Sequence, residues 1–116
     1  MHRQGFQEEE MPKLIDFLKK SNLHPEGVYS HLAFPEDKKS SSNQKQIFER
    51  CLKFFNRAGI HPKWIHLSGT GGVCEGGPFY KMVRVGFGLY GYFRRPFRNK
   101  FLRPVMAWKT VITEVK

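Results

Sequence analysis

Arg84 is the residue whose type and setting point most directly to chemistry. It lies in MVRVGFGLYGY, Met82 to Tyr92, where a short apolar stretch runs into glycines at 86, 88 and 91. Read as a strand, the stretch puts Val83 and Val85 on one face and Met82, Arg84 and Gly86 on the other, with Arg84 pointing to where the strand ends. An arginine at the end of a buried strand calls for an anion or a hydrogen-bond acceptor. Gly86 and Gly88 leave the backbone N–H groups around Phe87 open, and such groups cradle phosphate as a helix N-terminus does. Arginine beside an anion nest is the pattern of a cofactor site, whereas for the glycines taken alone a tight turn is the plainer reading.

Elements that could position this site are legible on either side. Glu8, Glu9 and Glu10 precede an apolar stripe of Leu14, Ile15, Phe17 and Leu18 and then Lys19 and Lys20, a charge order that favours a helix. GVYSHLAF, Gly27 to Phe34, alternates as a strand, with His31 near its C-terminal end. The polar run PEDKKSSSNQ reads as a linker. QKQIFERCLKFFNRAG then carries Ile47, Phe48, Cys51, Leu52, Phe54 and Phe55 at helical spacing and is stopped by Gly59. KWIHLSG, Lys63 to Gly69, reads as a second strand leading into SGTGG, a short helix or loop, before the strand around Arg84. Strand, helix, strand, helix or loop, strand is the pattern of a parallel α/β sheet, and it places His31, Thr70 and Arg84 at or beyond C-terminal strand ends, where ligands bind in such folds. VMAWKTVITEVK, Val105 to Lys116, is a β-branched run after Pro104 that reads as the first strand of a separate β unit.

Composition narrows the partners. With 116 residues, 40% apolar and 15% aromatic, the chain is globular in character and suited to one small domain. It lacks an apolar run of the roughly 18 residues that span a bilayer, and its polar start, His2 to Glu10, lacks the core of a secretory signal. A cytoplasmic protein without a membrane partner is expected. Cys51 and Cys74 stand outside any CxxC spacing and are expected as free thiols. The net charge of +10 peaks in RRPFRNKFLR, Arg94 to Arg103. Nucleic acid or an anionic surface is the sharper reading of that run, and a solvated, proline-broken connector the plainer one.

Taken in order, MHRQGF, YSHLAFPED, WIHLSGTGG, MVRVGFGLYGY and LRPVMAWKTVITEVK resemble the second half of the barrel domain of alanine racemases, running into the first strand of their C-terminal β domain. The resemblance covers essentially the whole chain. It implies the C-terminal half of a (β/α)8 TIM barrel over residues 1–93, a basic connector over 94–104 and the first strand of a β domain over 105–116. It also implies fold type III pyridoxal phosphate chemistry: pyridoxal 5'-phosphate as cofactor, alanine as substrate, a homodimer, and interconversion of L- and D-alanine for peptidoglycan. Nucleic acid is not an expected partner of such a protein.

Residue by residue, the resemblance implies that Arg84 hydrogen-bonds the cofactor's pyridine nitrogen and that His31 supports Arg84. Thr70 stands for a serine that bonds the phosphate, Gly86 and Phe87 for backbone amides that complete the phosphate site, and Arg3 for an arginine at the ring's phenolic oxygen. Because arginine keeps its protons, it would hold the ring nitrogen as an unprotonated acceptor, a weaker electron sink that suits racemisation over transamination. His66 resembles a further histidine of this network; a hydrogen-bonded core histidine is the alternative. Gln4 replaces the family's usual leucine, at a cost in packing, and Gly69 its usual asparagine, at the cost of a polar contact. His2, His24 and His61 have no metal-ligand spacing, and no metal is expected.

The family's Schiff-base lysine falls upstream of Met1 and its opposing tyrosine beyond Lys116, so the chain is expected not to racemise alanine alone. A closed barrel takes about 250 residues, so the chain would supply about half of one and leave open sheet edges. It is therefore expected to be a truncated or frameshifted remnant, or a misplaced start, of an alanine racemase gene. Two other classes stay open: a module binding pyridoxal phosphate non-covalently through Arg84, Thr70 and the Gly86 turn, and a nucleic-acid binder depending on Arg94, Arg95 and Arg98, with affinity falling steeply with salt.

Overall fold

The computed structural model describes residues 4–93 and 102–115. They form two units, Met1–Arg84 and Val85–Lys116. The first is α/β. A 3-10 turn, Glu8–Glu10, leads into α1, Met11–Lys20, followed by β1, Gly27–Tyr29, α2, Lys38–Arg57, β2, Trp64–His66, and a short α3, Thr70–Cys74.

α1 starts where Pro12 supplies a fixed φ and no needed N–H, and ends on Lys19 and Lys20. Its buried Met11 and Ile15 pack on Phe55 of α2, with Leu14, Leu18, Val28, Cys51, Phe54, Ala58 and Ile60 around them. The Arg50 guanidinium clasps Glu8 through two bonds, Nε to Oε1 at 2.6 Å and Nη2 to Oε2 at 2.7 Å, which fixes the 3-10 turn to α2. A second cluster, Leu32, Phe48 and Leu67, joins the loop after β1 to α2 and to the residue that follows β2, with Val28, Leu52, Ile65 and Tyr80 at its edge. Tyr80 meets Phe48 edge to face, and burial, with Glu49 close by, pushes its hydroxyl up to about 12.

α2 begins six residues earlier than its apolar pattern predicts. Asp37 caps it, accepting the Ser40 N–H at 3.0 Å. The stretch expected as a linker therefore belongs largely to the helix, and its polar side chains are used: Gln44 Oε1 accepts the Ala33 N–H at 2.9 Å, and Ser41 Oγ donates to the Phe34 carbonyl at 3.0 Å. These bonds pin the loop that carries His31. At the other end, Gly59 has φ +71 and the Ile60 N–H reaches the Phe55 carbonyl at 3.0 Å, a left-handed cap that confirms the expected stop.

β1 and β2 are parallel, with Gly27 opposite Trp64, Val28 opposite Ile65 and Tyr29 opposite His66. Both are shorter than expected: the chain leaves the ladder after Tyr29, although the Ser30 N–H still bonds the His66 carbonyl at 3.2 Å. The strand expected around Arg84 does not form a ladder. Residues 81–84 run beside β2, with Lys81 N–H on the Ile65 carbonyl and Arg84 N–H on the Ser68 carbonyl. A spacing of three residues between those bonds breaks the two-residue repeat that a ladder requires. Met82, Val83 and Val85 are correspondingly exposed rather than core. Among the described residues the sheet thus has two strands, and no helix is long and apolar enough to cross a membrane.

In the second unit a 3-10 turn, Phe87–Tyr90, ends on Gly91 at φ +77. A Cβ there would run into the Arg103 carbonyl, so both conformation and space demand glycine. The Tyr92 hydroxyl donates to the Met106 carbonyl, and the Val105 N–H bonds the Tyr90 carbonyl at 3.2 Å. The run 105–115, expected as a strand, has no ladder partner among the described residues, and its large side chains are exposed.

Candidate functional site

The side chain of Arg84 closes the C-terminal end of this small sheet. Its Nη2 donates to the Ser30 carbonyl at 2.6 Å and lies 2.9 Å from His31 Nδ1. Arginine has no acceptor and does not give up its proton, so His31 Nδ1 is the acceptor and a neutral His31 carries its hydrogen on Nε2. Both N–H bonds of Nη2 are thereby used. The guanidinium carbon lies 4.9 Å from the centre of the Tyr29 ring, and that ring stacks on His66 at 5.1 Å with the planes 2° apart. Arg84, Tyr29 and His66 form one connected stack. Its geometry follows from the parallel register, since Tyr29 and His66 are directly opposed.

Two polar atoms of this cluster are buried and lack a hydrogen-bond partner among the described residues, Arg84 Nε and His66 Nδ1. His66 is only 8% exposed. Burial, and then the charge of Arg84, hold its pKa below the ordinary histidine value, so it stays neutral at neutral pH. Arg84 Nε–H is a planar donor in a shielded place with nothing to donate to among the described residues, and such a group is costly to leave unmatched.

His31 follows β1 by two residues, and Thr70 opens α3 just beyond β2, so both stand at C-terminal strand ends as expected. Gly69, between β2 and α3, has φ −92, which any residue adopts. Space is what demands a glycine: a Cβ would sit 2.7 Å from His31 Cε1. Gly86 caps the 3-10 turn of the second unit and Phe87 begins it, with the phenyl ring exposed. Arg3 lies outside the described residues, as do Arg94, Arg95 and Arg98. Gln4 is exposed. Cys51 and Cys74 are unbridged, and burial above all pushes the Cys51 thiol up. Among the described residues no cluster of three or more His, Cys, Asp or Glu could hold a metal ion.

Sequence reasoning found Arg84 and His31 but missed Tyr29 and the Ser30 carbonyl. Nothing in the alternation of Gly27 to Phe34 sets Tyr29 apart; the usable signal is its place two residues before His31, on the strand that ends at the site. A groove lined by Leu18, Ser21, His24, Ile60 and His61 lies by the opposite ends of the strands and shares no residue with this cluster.

The family profile for the N-terminal domain of alanine racemase matches residues 1–94. The alanine racemase of Carboxydothermus hydrogenoformans is 33% identical over all of this chain and 33% of its own length. That of Prochlorococcus marinus is 36% identical over 90% of this chain and 28% of its own. Among solved structures, alanine racemase from Clostridium difficile superposes with a TM-score of 0.78 at 25% identity, over 90% of this chain and 29% of that one. Its complex with cycloserine gives 0.77 at 26% identity. The chain spans about a third of the length of the relatives it matches. A profile match over most of the chain, on a fold that superposes on the same enzymes, leaves one assignment: this chain belongs to the alanine racemase family, as a fragment carrying part of its N-terminal domain.

Proposed function

We propose that the chain supplies part of the cofactor wall of an alanine racemase, with Arg84, His31, Thr70, Gly86, Phe87 and Arg3 holding pyridoxal 5'-phosphate and His66 backing the arginine. The observation that carries this reading is Arg84 Nε, a buried N–H donor without an acceptor among the described residues, on a guanidinium already fixed at Nη2. A pyridine nitrogen offers one in-plane lone pair and no proton, which suits that donor. The Thr70 hydroxyl and the amides at Gly86 and Phe87 are donors of the kind that phosphate oxygens accept. When bound, the cofactor draws electrons from the α-carbon of an amino acid. Arg84 keeps the ring nitrogen unprotonated and so limits that withdrawal, while the neutral His31 supports the arginine without adding charge.

Proton exchange at an α-carbon between mirror forms takes a base on each face. In this reading these 116 residues supply contacts to the cofactor, and the pair of bases belongs to the complete enzyme. On the same reading, residues 4–93 correspond to the second half of the barrel and 105–115 to the start of the β domain, while most of the expected connector, 94–104, lies outside the described residues; the complete enzyme is a cytoplasmic homodimer acting on alanine for peptidoglycan.

Titrating the full chain with pyridoxal phosphate, followed by absorbance and fluorescence, tests this. Arg84→Ala should weaken binding about ten- to a hundredfold, the worth of a hydrogen bond from a charged group. An analogue with carbon in place of the ring nitrogen should bind wild type and variant alike. Equal affinity of wild type and Arg84→Ala for pyridoxal phosphate itself would reject the reading.

A further inference from the structure

The two bonds to Arg84 share one nitrogen. With Nη2 held by the Ser30 carbonyl and His31 Nδ1, the guanidinium can still rock about that nitrogen, and rocking swings Nε through an arc. A planar group is fixed only when something also holds its face. The guanidinium carbon lies over the Tyr29 ring, 4.9 Å from its centroid, and that ring is itself braced by His66, whose imidazole lies parallel to it. His66 cannot drift: it is buried on β2 in direct register with Tyr29.

We propose that Tyr29 is a positioning residue for Arg84, its π face setting the plane of the guanidinium so that Nε–H keeps one direction. The electron-rich face attracts the cation, while His66 holds the ring from turning. Tyr29 is 66% exposed, so apolar burial contributes little to its placement and ring electrostatics carry the contact. The use of the fixed Nε–H for a ring nitrogen rests on the function proposed above; the fixing of the guanidinium plane does not.

The test is a series of full-length chains with Tyr29 replaced by phenylalanine and by mono-, di- and trifluorophenylalanine, which keep ring shape while draining the π face. The first readout is the Arg84 Nε–H NMR order parameter, measured without cofactor. It should stay near the wild-type value with phenylalanine and fall stepwise with each fluorine. Affinity for pyridoxal phosphate should fall in the same order, about two- to fivefold over the series, the size of an exposed cation–π contact. Tyr29→Leu should match or exceed the trifluoro variant in both readouts, with phenylalanine restoring them. A flat order parameter across the series would overturn the proposal, since a ring acting only as packing is indifferent to fluorine. A graded order parameter in a chain that does not bind pyridoxal phosphate would uphold the positioning role and reject the cofactor reading.

Discussion

Phe55 and Trp108 are both large aromatic residues in apolar runs, and their fates are opposite. Phe55 is 4% exposed between α1 and α2, whereas Trp108 is 93% exposed in the run 105–115. Residue type does not separate the two regions; neighbours do. Helix α2 brings its own second surface, because α1 folds onto it and Arg50 clasps Glu8. The later run has a β pattern, and among the described residues it has no strand beside it. A helix satisfies its backbone within itself, but a strand needs another strand, so a stretch of a family domain keeps its helices more readily than its sheet.

The largest expected break in this contrast is Phe55→Ala. It should destabilise the first unit by about 3–5 kcal/mol in urea denaturation, as core aromatic truncations do. Gly91→Ala comes next, at about 1–3 kcal/mol, because the left-handed φ and the Arg103 carbonyl both oppose a methyl group. Faster hydrogen exchange at Tyr92 and Val105, with the α2 amides unchanged, would show that the damage stays in the second unit.

Acid sharpens the comparison further. His66 has a folded pKa below its ordinary value, so the unfolded chain takes up protons first as pH falls through about 6.5. The urea midpoint should decline from there downward, and His66→Gln should remove that part of the slope. Glu8, lowered chiefly by its bond to Arg50, adds a second decline as pH falls through the carboxylate range, which Glu8→Gln should abolish. A midpoint unchanged between pH 7.5 and 5.5 would mean that His66 is not sheltered as described.

Gly69→Ala should cost about 1 kcal/mol, because its Cβ would sit 2.7 Å from His31 Cε1 and the imidazole must shift against its contact with Arg84 to admit it. Its signature is chemical: the His31 ring should lose its fixed Nε2–H tautomer in 15N spectra. The smallest effect belongs to Trp108→Ala, within about 0.5 kcal/mol of zero. A larger loss would reveal packing in the run that its exposure denies.

The helices were legible because their signals are local. The stripe of α1, the stripe of α2 and the Gly59 stop each lie within a few turns of chain. The start of α2 was obscured by Ser40, Ser41 and Ser42, weak helix formers of which Ser40 here serves the Asp37 cap and Ser41 the His31 loop. The strand around Arg84 was over-read because alternation is necessary for a ladder but does not supply one. Arg84 and His31 are 53 positions apart, and no spacing rule joins them; the family resemblance did. Tyr29 was missed because its role depends on register, which appears only once β1 and β2 are paired.

That register has a consequence for chain length. Tyr29 opposes His66 only while the count of residues entering β1 is kept. Deleting one residue between Gly27 and Tyr29 would slide the strand by a position and turn alternate side chains to the other face. Arg84 would then lose its aromatic support with every residue of the cluster still present. Anyone grafting this cluster into another scaffold must copy the count before the letters, and an insertion here deserves the scrutiny usually kept for a substitution of the arginine.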